Sequence, residues 1–392
     1  MGHYNFDPII NRENTSCVKY DLRQSIFGNS KVLPMWVADM DIPTPDFILD
    51  ALAKRLKHPM LGYTIRDKAF NDAIVWWNEI RHNWSIKPEH LSICAGVVSG
   101  LNHAIQAFTN PGDKIIIQTP VYHPFFSTIS NNGRVILQNP LVDEGMRYSM
   151  DFKNLEEVAS QGAKMMIISN PHNPVGRVWH RDELLKLGEI CCRHNILIVS
   201  DEIHSDLIIK PNVHTPFASL SEQFSMNSIT FASTSKTFNL AGLFTGHAII
   251  PNPELLNKYN QALEATGAGM GNIFGFEAVK AAYTPKGVQW LDEVLEYIKG
   301  NAQLVEDYLM NHLPKIKLTE LQGTYLLWLD FRGFDLDDET INNLLIHKAG
   351  VGLNKGSVFG EQGLCFQRMN IACPRSQVEE ALERIHKVFK SI

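Results

Sequence analysis

The stretch Ser228–Asn239, SITFASTSKTFN, runs from an apolar segment into a hydroxyl-rich turn that carries one lysine, Lys236. Ser228–Ser233 is apolar nearly throughout instead of alternating. That pattern suits a strand buried on both faces of a mainly parallel sheet. The same pattern recurs in Lys114–Gln118 (KIIIQ), Lys164–Ser169 (KMMIIS), Asn195–Ser200 (NILIVS) and His247–Ile250 (HAII). Helical segments lie between these runs. In Arg181–His194, Leu184, Leu185, Leu187 and Ile190 fall close to one helical face. Pro111-Gly112-Asp113 and Asn131-Asn132-Gly133 mark turns. The alternation predicts an α/β domain.

Beyond about residue 250 the pattern changes. Pro253–Ala265, Asn272–Tyr283 and Val288–His312 read as helices, Tyr325–Phe331 and Leu364–Ile371 as strands, and Asp337–Lys348 and Gln377–Lys390 as further helices. This predicts a large α/β domain over 51–285. A smaller α+β domain would form from 286–392 with residues 1–50 packed against it. A chain of 392 residues has room for two such units. The net charge of −6 lacks the basic footprint of a nucleic-acid binder. No apolar run approaches the roughly 18 residues of a membrane span. Met1–Ile10 is polar, without the apolar core of a signal peptide. The six cysteines show no CxxC pair and no zinc spacing, so they read as reduced core residues and no metal is expected. The expected location is the cytoplasm, with no nucleic-acid or membrane partner.

Lys236 at a strand end gains meaning from its company. Schiff-base chemistry needs an amine, a proton-transfer environment and electron withdrawal. Pyridoxal 5′-phosphate (PLP) withdraws electrons while its pyridine nitrogen stays protonated, and a carboxylate partner keeps it so. Asp201 ends the run Ile196–Ser200, where an acid at the carboxyl end of a parallel strand faces the ligand crevice. It also reads as a helix N-cap. Asn173 follows another strand, in Ser169–Gly176 (SNPHNPVG), and could donate to the cofactor's phenolate oxygen. Its two Asn-Pro pairs also suit an ordinary turn. Ala95–Gly100 (AGVVSG) precedes a helical segment, where backbone N–H groups can cradle phosphate. Ser233 and Ser235 could add hydroxyl donors. Tyr122, after Pro120, offers an aromatic face or simple packing.

In their order along the chain these motifs resemble the fold type I PLP enzymes, the aspartate aminotransferase superfamily. Asp201 and Lys236 stand thirty-five residues apart, which fits it. Within it the chain looks most like the cystathionine β-lyase-like C–S lyases of the class I/II group. Leu33–Asp41 (LPMWVADMD), Leu61–Thr64 (LGYT), Asp201–Asp206 (DEIHSD), Ser235–Leu243 (SKTFNLAGL) and Phe366–Pro374 (FQRMNIACP) carry that likeness. The resemblance implies a large domain with a mainly parallel seven-stranded sheet. It implies Lys236 as the Schiff-base lysine and Asp201 as partner of the pyridine nitrogen. Asn173 would donate to the phenolate oxygen and also lie near the substrate, and Tyr122 would stack on the ring. Val97, Val98, Ser233 and Ser235 would hold the phosphate, and Arg368 the substrate α-carboxylate. Tyr63 would reach the phosphate of a neighbouring subunit, implying a homodimer. The chain departs from the transaminase pattern at two places. Phe244 stands where a phosphate-binding Arg or Lys is frequent, and His204, beside the cofactor, where a Tyr is frequent. Lys355 stands where the lyase group often has proline, which leaves the shape of that loop open.

The implied activity is β-elimination on L-cysteine S-conjugates, giving a thiol, pyruvate and ammonia. The leaving group is expected near Trp36–Asp41 and Met270. An aminotransferase shares the early steps and stands as the alternative. A PLP-binding regulatory protein acting through a protein partner is the alternative from another class.

Overall fold

The computed structural model describes residues 3–392. Met1 and Gly2, which open the polar Met1–Ile10 stretch, lie outside the described residues. Seven strands form the central sheet: β1 (Leu91–Cys94), β2 (Lys114–Ile117), β3 (Val135–Gln138), β4 (Ala163–Ser169), β5 (Leu197–Asp201), β6 (Ser228–Ala232) and β7 (Gly246–Ile249). Their order is β1-β7-β6-β5-β4-β2-β3. Only β7 runs antiparallel to its neighbours. The apolar runs are continuous because both faces are covered. Ile115, Ile117, Met165, Ile167, Val199, Ile229 and Phe231 join the core on one face, and Ile116, Met166, Ile168 and Ile198 on the other. The expected strands appear with boundaries moved by one or two residues. Two further strands, β1 and β3, are additional to those expected. β1 is four residues long and includes Ser92, whose hydroxyl donates to Asn260 Oδ1 at 2.6 Å. β3 lies at the sheet edge, half exposed.

Helices α1 (Lys68–His82), α2 (Val97–Phe108), α3 (Arg181–Arg193), α4 (Thr234–Thr237), α5 (Pro285–His312) and α6 (Arg375–Phe389) frame the sheet and the small domain. α2 packs closely on β6: a Cβ at Gly100 would come within 2.5 Å of the Phe231 ring. α5 starts three residues before the expected Val288, because Thr284 accepts the Gly287 N–H and Pro285 sits at the first helical position. The small sheet comprises β8 (Lys317–Leu318), β9 (Leu326–Asp330), β10 (Asn354–Lys355) and β11 (Phe366–Asn370), antiparallel in the order β8-β9-β11-β10. The expected helix at Asp337–Lys348 is an α-helix, Asp338–Asn343, that widens into a π-helical turn, Leu344–Ala349.

The N-terminal segment is stitched to the small domain. Leu33–Pro34 pairs in parallel with Val351–Gly352, and Tyr4 N–H donates to Glu293 Oε2 on α5 at 2.9 Å. We propose 51–285 as the large unit and 1–50 with 286–392 as the small one. The apolar core crosses that division, since Trp77 of α1 and Trp290 of α5 belong to one cluster. Among the described residues, no helix is long and apolar enough to cross a membrane.

Candidate active site

At the carboxyl ends of β4, β5 and β6, adjacent in the sheet, the chain opens into one cavity. Val97, Val98, Tyr122, Asn173, Asp201, His204, Ser235 and Lys236 all line it. Asp201 closes β5, and its Oδ1 accepts the Ile203 N–H at 3.1 Å; a turn and not a helix follows, so this bond closes the turn and Asp201 is not an N-cap. Burial pushes the Asp201 carboxyl up to about 7; the Ile203 N–H and the Lys236 charge pull the other way, and Glu202 adds to the rise. Lys236 Nζ donates to Ala38 O at 2.7 Å. Burial first, then the Arg368 charge, brings the Lys236 amine down to about 8, against the pull of Asp39 and Asp201. His204 is held well below the usual histidine range by burial and by the charges of Lys236 and Arg368. Its buried Nδ1 has no partner among the described residues.

Arg368 sits mid-strand in β11, buried behind Asn173, and does not itself line the cavity. Its Nη1 donates to Asn173 Oδ1 at 2.9 Å, and its Nη2 to Trp36 O at 3.0 Å and Asn354 Oδ1 at 2.6 Å. The guanidinium lies 4.8 Å from the centre of the Phe359 ring. Burial brings it down to about 10, with Tyr122 and Tyr325 opposing. A guanidinium has five N–H donors. Three are taken by protein, and the buried Nε–H is among those left over. Among the described residues, no carboxylate forms an ion pair with it.

Gly96 turns into α2 with φ +82°, a left-handed value that favours glycine. The first helical bond of α2 is Gly100 N–H to Gly96 O, so the N–H groups of Val97, Val98 and Ser99 have no acceptor within the helix. Ser235 lines the cavity beside them, whereas Ser233 stands one layer back. The Ser233 hydroxyl donates to Thr245 O at 2.7 Å and accepts the Ser235 N–H at 3.0 Å, so it caps α4 and steadies Ser235. Tyr63 is 97 % exposed and away from this chain's cavity. Phe244, 68 % exposed, forms part of the rim. Met270 lines a separate surface groove with Arg66 and Asn260. Lys355 turns outward to Glu339 at 2.7 Å and Asp338 at 3.3 Å. The loop after it is pinned where Gly356 crosses Gly363: a Cβ at Gly356 would lie 2.2 Å from the Gly363 carbonyl.

The Trp36 and Ala38 carbonyls, which accept from Arg368 and Lys236, have no signature in the sequence. Backbone oxygens carry no residue signature. Their one hint is the side chains that hold the loop: Asn370 Nδ2 donates to Val37 O and Asp39 O, each at 2.6 Å, and Tyr325 Oη to Ala38 O at 2.9 Å. Arg12 adds ion pairs to Asp39 and Asp41 at 2.6 Å each.

The residues fit PLP. Asp201 is a buried carboxylate at the cavity wall that suits a protonated ring nitrogen. Asn173 engages Arg368 through its oxygen, which leaves its NH₂ for an anionic oxygen. The N-terminus of α2 suits a phosphate.

Comparison with known proteins agrees with this geometry. Over 97 % of this chain and 98 % of the relative, the sequence is 43 % identical to the cystathionine beta-lyase PatB of Bacillus subtilis. A PLP-bound putative aminotransferase from Clostridium difficile superposes with TM-score 0.96 at 42 % identity, over 98 % of this chain and 100 % of that one. A PLP-bound C–S lyase from Staphylococcus hominis superposes with TM-score 0.92 at 33 % identity, over 98 % of each chain. The family model of the class I and II aminotransferases matches residues 31–385. The chain therefore belongs to the aminotransferase class I and II family.

Proposed function

We propose that this chain is a PLP-dependent C–S β-lyase that cleaves L-cysteine S-conjugates to a thiol, pyruvate and ammonia. The observation that carries the proposal is the convergence of Lys236, Asp201 and Asn173 on one cavity, with Arg368 behind it. Full-length likeness to a cystathionine beta-lyase and to a C–S lyase supports elimination as the outcome.

Lys236 is the lysine that carries the cofactor. Asp201 holds the ring nitrogen in its protonated form, and Tyr122 covers the ring. Asn173 donates to the phenolate oxygen. His204, neutral at physiological pH, lies along the same wall. The N–H groups of Val97 and Val98 and the Ser235 hydroxyl take the phosphate, with Ser233 behind Ser235. Bound PLP supplies an electron sink for the pair left when Cα loses its proton. Arg368 takes the substrate carboxylate on its free Nε–H and on an Nη2–H released from Trp36 O or Asn354 Oδ1, and so aims the Cα–H bond. The Lys236 amine, lowered to about 8, is a base that works near neutral pH and takes the Cα proton. The thiolate then leaves Cβ and is protonated to the thiol, and water hydrolyses the released enamine, through its imine, to pyruvate and ammonia.

A homodimer is part of the proposal. Tyr63 is almost fully exposed, and Met60, Leu61 and Ile65 beside it are 67 %, 55 % and 78 % exposed. Such an apolar arm suits burial against a second copy, where Tyr63 would reach the partner's phosphate site. The cytoplasm is the proposed location, since all six cysteines carry free thiols.

A second reading, transamination, is favoured by the family match and by the putative aminotransferase neighbour. An S-conjugate given without a keto-acid acceptor separates the two. A lyase releases pyruvate and ammonia in equal amounts over many turnovers and keeps its visible colour. Less than one pyruvate per site, with conversion to pyridoxamine phosphate, would reject the lyase.

A further inference from the structure

Behind the cavity lies a buried carboxylate that the proposed chemistry does not use. Asp206 sits in the turn that leaves β5, the same turn that presents Asp201 and His204 to the cavity. Its Oδ1 accepts from Trp77 Nε1 at 2.9 Å and pairs with His82 Nε2 at 3.1 Å, both on α1. Its Oδ2 accepts from Thr237 Oγ1 at 2.8 Å. Thr237 follows Lys236 directly. Burial pushes the Asp206 carboxyl up, but His82, Arg81 and Thr237 together hold it below the usual range, so it is ionised. The turn itself is stiff: Ser205 N–H donates to Glu202 O and Leu207 N–H to His204 O, each at 2.9 Å. Glu202 is held in turn by the Ser200 hydroxyl at 2.8 Å, the Phe217 N–H at 2.9 Å and His214 Nε2 at 2.9 Å. On the other side, Phe238 packs between Trp77 and Trp290, with ring centres 5.7 and 5.5 Å away.

We propose that Asp206 and Thr237 are positioning residues. Their bond fixes helix α4, which carries Lys236, against the end of β5 and the turn after it, which carry Asp201 and His204, so the amine and the carboxylate keep a set separation. The proposal rests on the reading of Lys236 as the cofactor-bearing lysine. A side chain that only fills space would behave differently. Thr237 is fully buried, so packing alone would favour the isosteric valine over the smaller serine. A hydrogen-bonding role favours serine over valine.

The test compares Thr237→Val with Thr237→Ser in the full-length holoenzyme and in the apoenzyme. Four quantities are read: kcat and KM on an S-conjugate, the rate at which apoenzyme captures PLP, and the site of the borohydride-reduced label. Thr237→Val is expected to lose about tenfold or more in kcat through a misplaced amine. Its KM should stay within about twofold, because Arg368 is untouched. Capture of PLP should slow in step. Thr237→Ser should retain both rates within about twofold. Valine as active as serine, or more so, overturns the proposal. If Thr237→Val fails to fold, Thr237→Ala, which also removes the hydroxyl, replaces it, and an unchanged kcat and capture rate there overturn the proposal equally. A wild-type label found on another lysine would reject the underlying reading of Lys236 instead, so the two failures are distinct.

Discussion

Replacing Arg368 with lysine keeps the positive charge and removes the fork. In the wild type, Asn173 Oδ1, Trp36 O and Asn354 Oδ1 occupy three of five N–H donors; the Nε–H is free, and a carboxylate completes a two-bond fork with it by displacing one of the Nη2 acceptors. An ammonium has only three N–H groups, and the same three acceptors would saturate it. The substrate carboxylate then regains at most one bond by displacing a protein acceptor. The loss is therefore at least one hydrogen bond between charged groups, about 1.5–3 kcal/mol. That corresponds to about ten- to 150-fold in kcat/KM. The stacking on Phe359 is lost too, which adds in the same direction. Pyruvate release from an S-conjugate, measured over a range of substrate concentrations, reads the effect. A thermal melt of the PLP-loaded variant checks that the site is intact. A folded, PLP-loaded Arg368→Lys enzyme within about threefold of wild type would refute the carboxylate role.

Further outcomes follow from the same geometry. The Lys236 amine is lowered to about 8, and only its neutral form can attack an aldehyde, so PLP capture by apoenzyme should rise with pH through about 8 and level off above it; stopped-flow absorbance that is flat from pH 6 to 9 would contradict this. Tyr63→Phe should weaken PLP retention by about 1.5–3 kcal/mol, one hydrogen bond to a charged group, and light scattering should show a dimer; a monomer that keeps its full PLP would contradict the shared site. Gly100→Ala would place a Cβ 2.5 Å from the Phe231 ring, so the chain should lose about 1–3 kcal/mol of stability by denaturant unfolding. An unchanged midpoint there would contradict the close packing of α2 on β6.

Much of the fold was legible because the buried strands are almost purely apolar, and Met165–Ile168 alternates between two cores without a polar residue to interrupt it. β1 is short and interrupted by Ser92, whereas β3 carries in Val135-Ile136-Leu137 the same apolar signal as the interior strands. The site was legible where side chains act. Lys236, Asp201 and Asn173 each end or follow a strand, and the crevice lies at those ends. It was illegible where the backbone acts, as with the carbonyls of Trp36 and Ala38. Ser233 and Ser235 look equivalent in sequence. Only the fold shows that Thr245 O takes the proton of the first and leaves the second at the cavity wall. Tyr63 is almost fully exposed and does not line its own chain's cavity.

The most direct measurement is to reduce the PLP-loaded protein with borohydride and map the labelled peptide. A single pyridoxyl label on Lys236, within Ser233–Asn239, is expected. A label on any other lysine, or no stable label after reduction of the coloured protein, would contradict it.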